Sequence, residues 1–458
     1  MASFKVSEII KCTGGTLLQG SPQARVRGVS TSSFGVKKGE LFIAIIGKKH
    51  DAHDFIPEAI KKKAAGVIVS RECAVRPSSI AVIKVADTTK ALGDIARMHR
   101  QRFSIPVIAV TGSAGKTTTK EMIALVLENK YNVLKNTGTE NNQFGVPLTI
   151  LRLSPSHDIA VLEIGTNCPG DIKGLASIAQ PTVAVMTNIG ESHLELLKTT
   201  RDVFQEKLAL LKALDKGGVA IVNSDDPFLK KVPGLIKQKV HTFGIQKKAN
   251  FQATEIKVLG QKIEFKVPGA GRVAIRGAAI ASVYNALSAI CCGRLFKIGY
   301  NDIKKSLGRF SFSSGRQALV KAGGITVIDD TYNANPVSFR SALQAVKFYK
   351  TNGRRVLVCG DMLELGEHSK RLHSEIGESA ADAGFNLILS FGKFSRLIGI
   401  AASRRDPGIT ISHGATLEEI QGSLKEYLRY GDTVLVKGSR GMRMERFVEW
   451  ICSMARKF

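Results

Sequence analysis

The stretch "VIAVTGSAGKTTTKE" (107–121) joins an apolar, β-branched run to a glycine-rich turn, a Gly-Lys-Thr and a helix-forming tail. Strand, turn and helix in that order can cradle phosphate. Gly112 and Gly115 let backbone N–H groups approach an anion, and a helix starting near Lys116 turns the positive end of its dipole towards it. Lys116 can reach the β- and γ-phosphates of a nucleotide, and the Thr117 hydroxyl can ligate magnesium. The common phosphate loop has Gly six positions before the Lys; here that position is Val110. Without a ligand the same residues would be a plain glycine-rich strand–helix turn.

Other polar residues stand at the ends of apolar runs. Glu163 closes "AVLEIG" and, beside a phosphate loop, suits a magnesium ion. His193 follows the next run in "TNIGESHLE"; Asn141 and Asn142, in "TGTENNQFGVP", suit either a phosphate or a turn. "IDDTYNANP" (328–336) is too polar for a core. There Asp330 could accept from ribose hydroxyls, and Asn333 and Asn335 could meet an amide or carboxylate; the alternative is an Asx-rich turn before a helix. "GDMLELG" (360–366) and "KGSRGM" (437–442) end two more strands of that series, which implies a cleft facing the central part of the chain.

These residues need a scaffold of alternating strands and helices, and the pattern supplies one. "ELFIAIIG" (40–47) and the segment 52–70 predict a small α/β unit ending near residue 86. The runs 105–110, 158–165, 181–190 and 217–226, separated by helical stretches, predict a central doubly wound parallel sheet. Residues 239–276 alternate like antiparallel strands, and a helix is expected over about 280–295. A third series follows at 324–330, 354–361, 385–392 and 432–441. The expected class is α/β in three domains, 1–86, 87–313 and 314–458: a small N-terminal α/β unit, a phosphate-loop sheet with a small antiparallel region, and a Rossmann-like unit.

With 458 residues, several cores are required. No apolar run reaches the roughly 18 residues of a membrane span. The opening "MASFKVSEIIKCTGG" has no apolar segment of the secretory kind. Seven scattered Cys with no CxxC pair suit reduced thiols in a cytoplasm. The 66 Lys+Arg against 39 Asp+Glu, a net +27, suit anionic ligands or a solvated basic surface. Without an aromatic–basic RNA module, no nucleic-acid partner is expected.

The order of motifs resembles the Mur ligases of peptidoglycan synthesis. The matching pieces run along the whole chain: "KKHDAHDF" (48–55), "TGSAGKTTTKEM" (111–122), "NNQFGVPLTILRL" (142–153), "EIGTNCPGDI" (163–172), "TNIGESHLE" (187–195), "NSDDP" (223–227), "NALSA" (285–289), "IDDTYNANP", "GDMLELG" and "VKGSR" (436–440). "DDTYNANP" with "GDMLELG" points to the branch that adds D-alanyl-D-alanine. In that family the first Gly of the loop falls at Gly112, so Val110 is expected.

The resemblance implies amide formation driven by ATP with Mg2+, through an acyl phosphate, in a monomeric cytoplasmic enzyme acting on small-molecule substrates. Gly112, Ser113, Ala114, Gly115, Lys116, Thr117 and Thr118 would hold the phosphates. Asn142, Asn285, Arg316 and Asp330 would face the nucleotide. Thr117, Glu163, His193 and Lys207 would serve magnesium, Lys207 as a carbamate, and Lys116, His193 and Lys207 would act in catalysis. Ser33, Asp51, His53, Asn141, Tyr332, Asn333 and Asn335 would meet the UDP-linked peptide and the incoming amine. By residue pattern alone, Lys207 falls at the edge of the apolar face formed by Phe204, Leu208 and Leu211, so either a buried or an exposed position is open.

The chain departs from the family at several supporting positions. Ser32-Ser33-Phe34 replaces Asp-Ser/Thr-Arg near the uridine, and Ala281-Ser282 replaces His-Asn ahead of Asn285. Leu208-Ala209 follows Lys207 in place of Gly-Glu, and Leu196 and Lys198 stand where glycines are usual. Two further readings follow: another ligase of the superfamily, adding the third peptide residue or glutamate to folate, or a nucleotide-binding homologue without catalysis.

Overall fold

A computed structural model describes residues 2–455 except 48, 74, 76–78 and 350. Lys48, the first residue of "KKHDAHDF", thus lies outside the described residues. Three main sheets follow one another along the chain. The first has the order Thr16–Gln19, Ala81–Lys84, Gly66–Val69, Leu41–Ile43, Val29–Ser30, with only the first pair antiparallel. Asp87 then caps the helix Thr88–Arg100, its carboxylate accepting from the N–H groups of Thr89 and Lys90. That helix packs on the helices Gly145–Ile150 and Asp171–Ala179 of the central sheet.

The central sheet has seven parallel strands in the order Phe251–Gln252, Lys239–Gly244, Val219–Asn223, Val183–Met186, Val107–Thr111, Ile159–Glu163, Val133–Lys135. The strand Val107–Thr111 is buried throughout. Val107 and Ala109 enter the core on one face, Ile108 and Val110 that on the other, as expected of a strand covered by helices on both sides. Chain order reverses at this strand: its neighbours are the third and fourth strands in sequence. Ligands of open α/β sheets bind at such a switch point, beyond the strands' carboxyl ends. The phosphate loop occupies that position.

One expectation is corrected. Lys239–Gly244 is not antiparallel: it runs parallel to Val219–Asn223 and extends the central sheet. Near the sheet's rim its first four residues keep some exposure, while only Phe243 and Gly244 are buried, so its pattern resembles a half-solvated strand. The antiparallel region is confined to Thr254–Leu259, Lys262–Val267 and Gly271–Arg276. The helix Ala281–Leu295 follows.

The third sheet has the order Ala318–Ala322, Ile325–Asp330, Thr433–Lys437, Arg355–Gly360, Leu387–Phe391, Thr410–Gly414. Only the first pair is antiparallel. The strands ending in Asp330, Lys437 and Gly360 are adjacent, so the three polar strand ends read from the sequence lie side by side. The strands 318–322 and 410–414 were not foreseen; both lie at sheet edges and are partly exposed. Cys12, Cys73, Cys168, Cys291, Cys292 and Cys359 are free thiols. Among the described residues no helix is long and apolar enough to cross a membrane.

Candidate active site

The turn after Val107–Thr111 requires its glycines. Gly112 has φ +150°, and a Cβ there would lie 1.9 Å from Thr187 Oγ1. Gly115 has φ +81°, and a Cβ there would lie 2.7 Å from Asn285 Oδ1. The N–H groups of Ser113 and Ala114 donate to the Asn188 backbone and side-chain oxygens, at 3.0 and 2.9 Å. The loop is therefore braced by the neighbouring strand end. The N–H groups from Gly115 into the first turn of the helix Lys116–Leu127 are the ones whose position suits an anion. Lys116 folds back, donating to Gly112 O at 2.8 Å. Burial pushes its pKa down, with Glu163 opposing and Arg316 adding to the shift.

Thr117 Oγ1 donates to Glu163 Oε2 at 2.6 Å, and Asn141 Nδ2 to Glu163 Oε1 at 2.6 Å. Glu163 is 1% exposed. A hydroxyl and a carboxylate held together beside a phosphate loop are the hard oxygens magnesium prefers, so these residues fit that ion. Among the described residues no three His, Cys, Asp or Glu side chains cluster as a ready-made metal centre. His193 turns its Nδ1 to Glu364 Oε2 at 2.7 Å.

Lys207 is buried, at 1% exposure, which decides between the two positions the sequence allowed. It lies on the helix Thr200–Lys212, near enough to Lys116 to feel its charge. Burial, and next the charge of Lys116, bring its pKa down to about 7, against the pull of Glu206. Glu206 itself accepts from the N–H groups of Gly170 and Ile172, at 2.7 and 2.8 Å. It thereby ties this helix to the start of Asp171–Ala179.

All of this surrounds a cavity of about 1220 Å3 between the central and third sheets. Ser113, Ala114, Gly115, Lys116, Thr117 and Thr118 line it from the loop, and Asn141, Asn142, Glu163, His193 and Asn285 from the rest of the central sheet. Asn142 Oδ1 accepts from the N–H groups of Phe144 and Gly145, so that side chain also builds a turn. Asn285 accepts from Thr119 at 3.1 Å.

The third sheet contributes Arg316, Asp330, Tyr332, Asn333 and Asn335. The Arg316 guanidinium lies 4.0 Å from the centre of the Tyr332 ring, and the Tyr332 hydroxyl bonds Thr139 across the cleft. Asp330 pairs with the buried Lys437 at 2.6 Å. Lys437 also donates to Asn333 O at 3.0 Å. Asn335 caps the helix Pro336–Val346 through Ser338 N, and its Nδ2 donates to Ser113 O at 2.9 Å.

Gly112, within the loop, is not part of the lining, and three further candidates lie in the first part of the chain. Ser33, Asp51 and His53 do not line this cavity. Ser33 Oγ donates to Glu58 at 3.0 Å. His53 spends Nδ1 on Asp51 at 2.5 Å and Nε2 on the Ser70 N–H at 3.0 Å. These side chains brace the first sheet. Beside them Phe34 is 76% exposed, with Lys62 Nζ 5.4 Å from its ring centre. Sequence reasoning assigned no role to Asn188, Glu206, Glu364 or Lys437. Asn188, Glu364 and Lys437 lie inside quoted motifs, and Glu206 adjoins Lys207, but only the fold reveals their partners.

A phosphate loop at the switch point of a parallel sheet, closed over by a Rossmann-like sheet, defines a nucleotide-driven ligase of the three-sheet kind. Known proteins place it further. The Mur ligase middle domain is matched over residues 110–293, the Mur ligase glutamate ligase domain over 315–440 and the Mur ligase family catalytic domain over 25–100. The UDP-N-acetylmuramoyl-tripeptide–D-alanyl-D-alanine ligase of Bacillus subtilis is 33% identical over 454 residues, 98% of each chain. A crystal structure of MurF from Acinetobacter baumannii superposes with TM-score 0.90 at 30% identity, covering 99% of both chains. MurF ligase from Thermotoga maritima in complex with ADP superposes with TM-score 0.83 at 30% identity, over 94% of this chain and 98% of that one. The chain belongs to the Mur ligase family, in its MurF branch, and is an ATP-dependent ligase of peptidoglycan precursor synthesis.

Proposed function

We propose that this chain joins D-alanyl-D-alanine to a UDP-N-acetylmuramoyl-tripeptide, as a cytoplasmic monomer. The γ-phosphoryl group of ATP passes to the peptide's terminal carboxylate. The dipeptide amine then attacks the acyl phosphate, the amide forms and inorganic phosphate leaves. The observation that carries this reading is the Thr117–Glu163 pair beside Lys116, facing Asn335 and Tyr332 across one cavity.

In this reading the helix N-terminus and Lys116 hold the nucleotide phosphates and stabilise charge during transfer. Thr117, Glu163, His193 and, as a carbamate, Lys207 would hold magnesium, which would supply charge that neutralises the phosphoryl oxygens. Support for the carbamate comes from a buried amine of lowered pKa, since only the neutral amine adds CO2. Asn142, Asn285, Arg316 and Asp330 face the nucleotide; Asn141, Tyr332, Asn333 and Asn335 face the amine and carboxylate. The first sheet takes the UDP end. Ser33, Asp51 and His53 shape that sheet through their internal bonds, and residues 1–86, 87–313 and 314–458 act as the three functional domains.

The test is Lys116→Ala. Phosphate release should fall by about 10²–10³-fold, the usual cost of removing one preorganised donor from a transition state. Thermal unfolding should be nearly unchanged. Turnover close to wild type would overturn the assignment of the loop.

A further inference from the structure

We propose that Glu364 is the positioning residue for His193. A carboxylate carried by the third sheet orients the imidazole of the central sheet, so that the metal site is completed only when the two sheets close together. The proposal rests on the reading of His193 as a magnesium ligand.

The contact itself fixes the tautomer. His193 Nδ1 and Glu364 Oε2 are 2.7 Å apart. A carboxylate can only accept, so Nδ1 carries the ring proton and the Nε2 lone pair is bare. Ligating histidines characteristically give their other N–H to a carboxylate, which sets the ring's direction and raises its basicity. Here the two halves of that arrangement come from different sheets.

The backbone is arranged around the pair. His193 has φ 56°, Lys198 φ 58° and Glu364 φ 64°. Left-handed backbone is uncommon outside glycine, yet both partners of the contact adopt it, and Lys198 is a third case a few residues along the same segment as His193. Glu195 N donates to Glu364 O at 3.0 Å, and His368 Nε2 lies 3.2 Å from Lys198 O. From the other side the third sheet anchors the segment. Met362 N donates to His373 Nε2 at 2.9 Å, and Leu363 N to Ser439 Oγ at 2.8 Å. Glu364 is thus aimed by the third sheet at a residue of the central one. Its side chain is 54% exposed, so the pair is not core packing and its loss should spare the fold.

Equilibrium binding of Mn2+ to the full chain with a non-hydrolysable ATP analogue, followed by electron paramagnetic resonance, tests this in four proteins: wild type, Glu364→Ala, His193→Ala and the double variant. Glu364→Ala should weaken Mn2+ by about 10–100-fold. Glu364→Gln, whose amide oxygen still accepts from Nδ1–H without the charge, should recover part of that. In the His193→Ala background, Glu364→Ala should change nothing further. Wild-type Mn2+ affinity in Glu364→Ala, or independent losses that multiply in the double variant, would overturn the positioning role while leaving His193 a ligand. Wild-type affinity in His193→Ala would overturn the underlying assignment as well.

Discussion

Lys207 shows how much one residue's chemistry depends on surroundings distant in sequence. An unperturbed lysine titrates near 10.4 and is charged at neutral pH. Burial and Lys116 bring Lys207 to about 7. Carbamylation consumes the neutral amine and releases a proton, so its initial rate at fixed dissolved CO2 should rise from pH 6 to 8 and then level off; for an exposed lysine that rate would keep climbing towards pH 10. Recovery of activity after dissolved CO2 is returned to CO2-depleted protein, followed with time at each pH, should trace the same curve. Lys207→Ala should abolish turnover, and acetate at high concentration should restore part of it by supplying carboxylate oxygens. Full activity of Lys207→Ala without additive would make it a structural lysine. The sequence marked this residue only through its resemblance to the family. Its burial was not legible, because its polar neighbour Glu206 spends its carboxylate inside the fold, on Gly170 and Ile172.

At the scale of elements, the sequence carried the strongly periodic pieces. The strand before the phosphate loop, the helix after it and the polar ends of the third sheet all fall where their residue types put them. Rim strands were harder. Lys239–Gly244 alternates because one end is partly solvated, not because its partner is antiparallel. The helix Pro336–Val346 yields a prediction. Asn335 serves it twice, through Oδ1 to Ser338 N and Nδ2 to Ser113 O. Asn335→Asp keeps the cap and loses the donor, so denaturant stability should stay near wild type while KM for ATP rises several-fold. Asn335→Ala should lose the cap too, at about 1 kcal/mol. A KM for ATP equal to that of wild type in both variants would show that the strut to the phosphate loop is idle.

At the scale of the whole molecule, the central claim is that three successive sheets form one machine, with chemistry in the cleft between the second and third. The order of these parts is legible in the motifs, but the contacts across the cleft are not, since Asn335–Ser113, Tyr332–Thr139 and His193–Glu364 join residues 171–222 positions apart. The net +27 remained undecided in the sequence. In the fold, Lys116 and Arg316 place part of that charge in the cavity, where anionic substrates would be drawn. The most direct measurement is phosphate release by the purified chain with ATP, Mg2+ and UDP-N-acetylmuramoyl-tripeptide, adding candidate amines one at a time. The account predicts release that depends on D-alanyl-D-alanine and yields the UDP-linked pentapeptide by mass. Release driven by another amino substrate, or none with D-alanyl-D-alanine present, would contradict it.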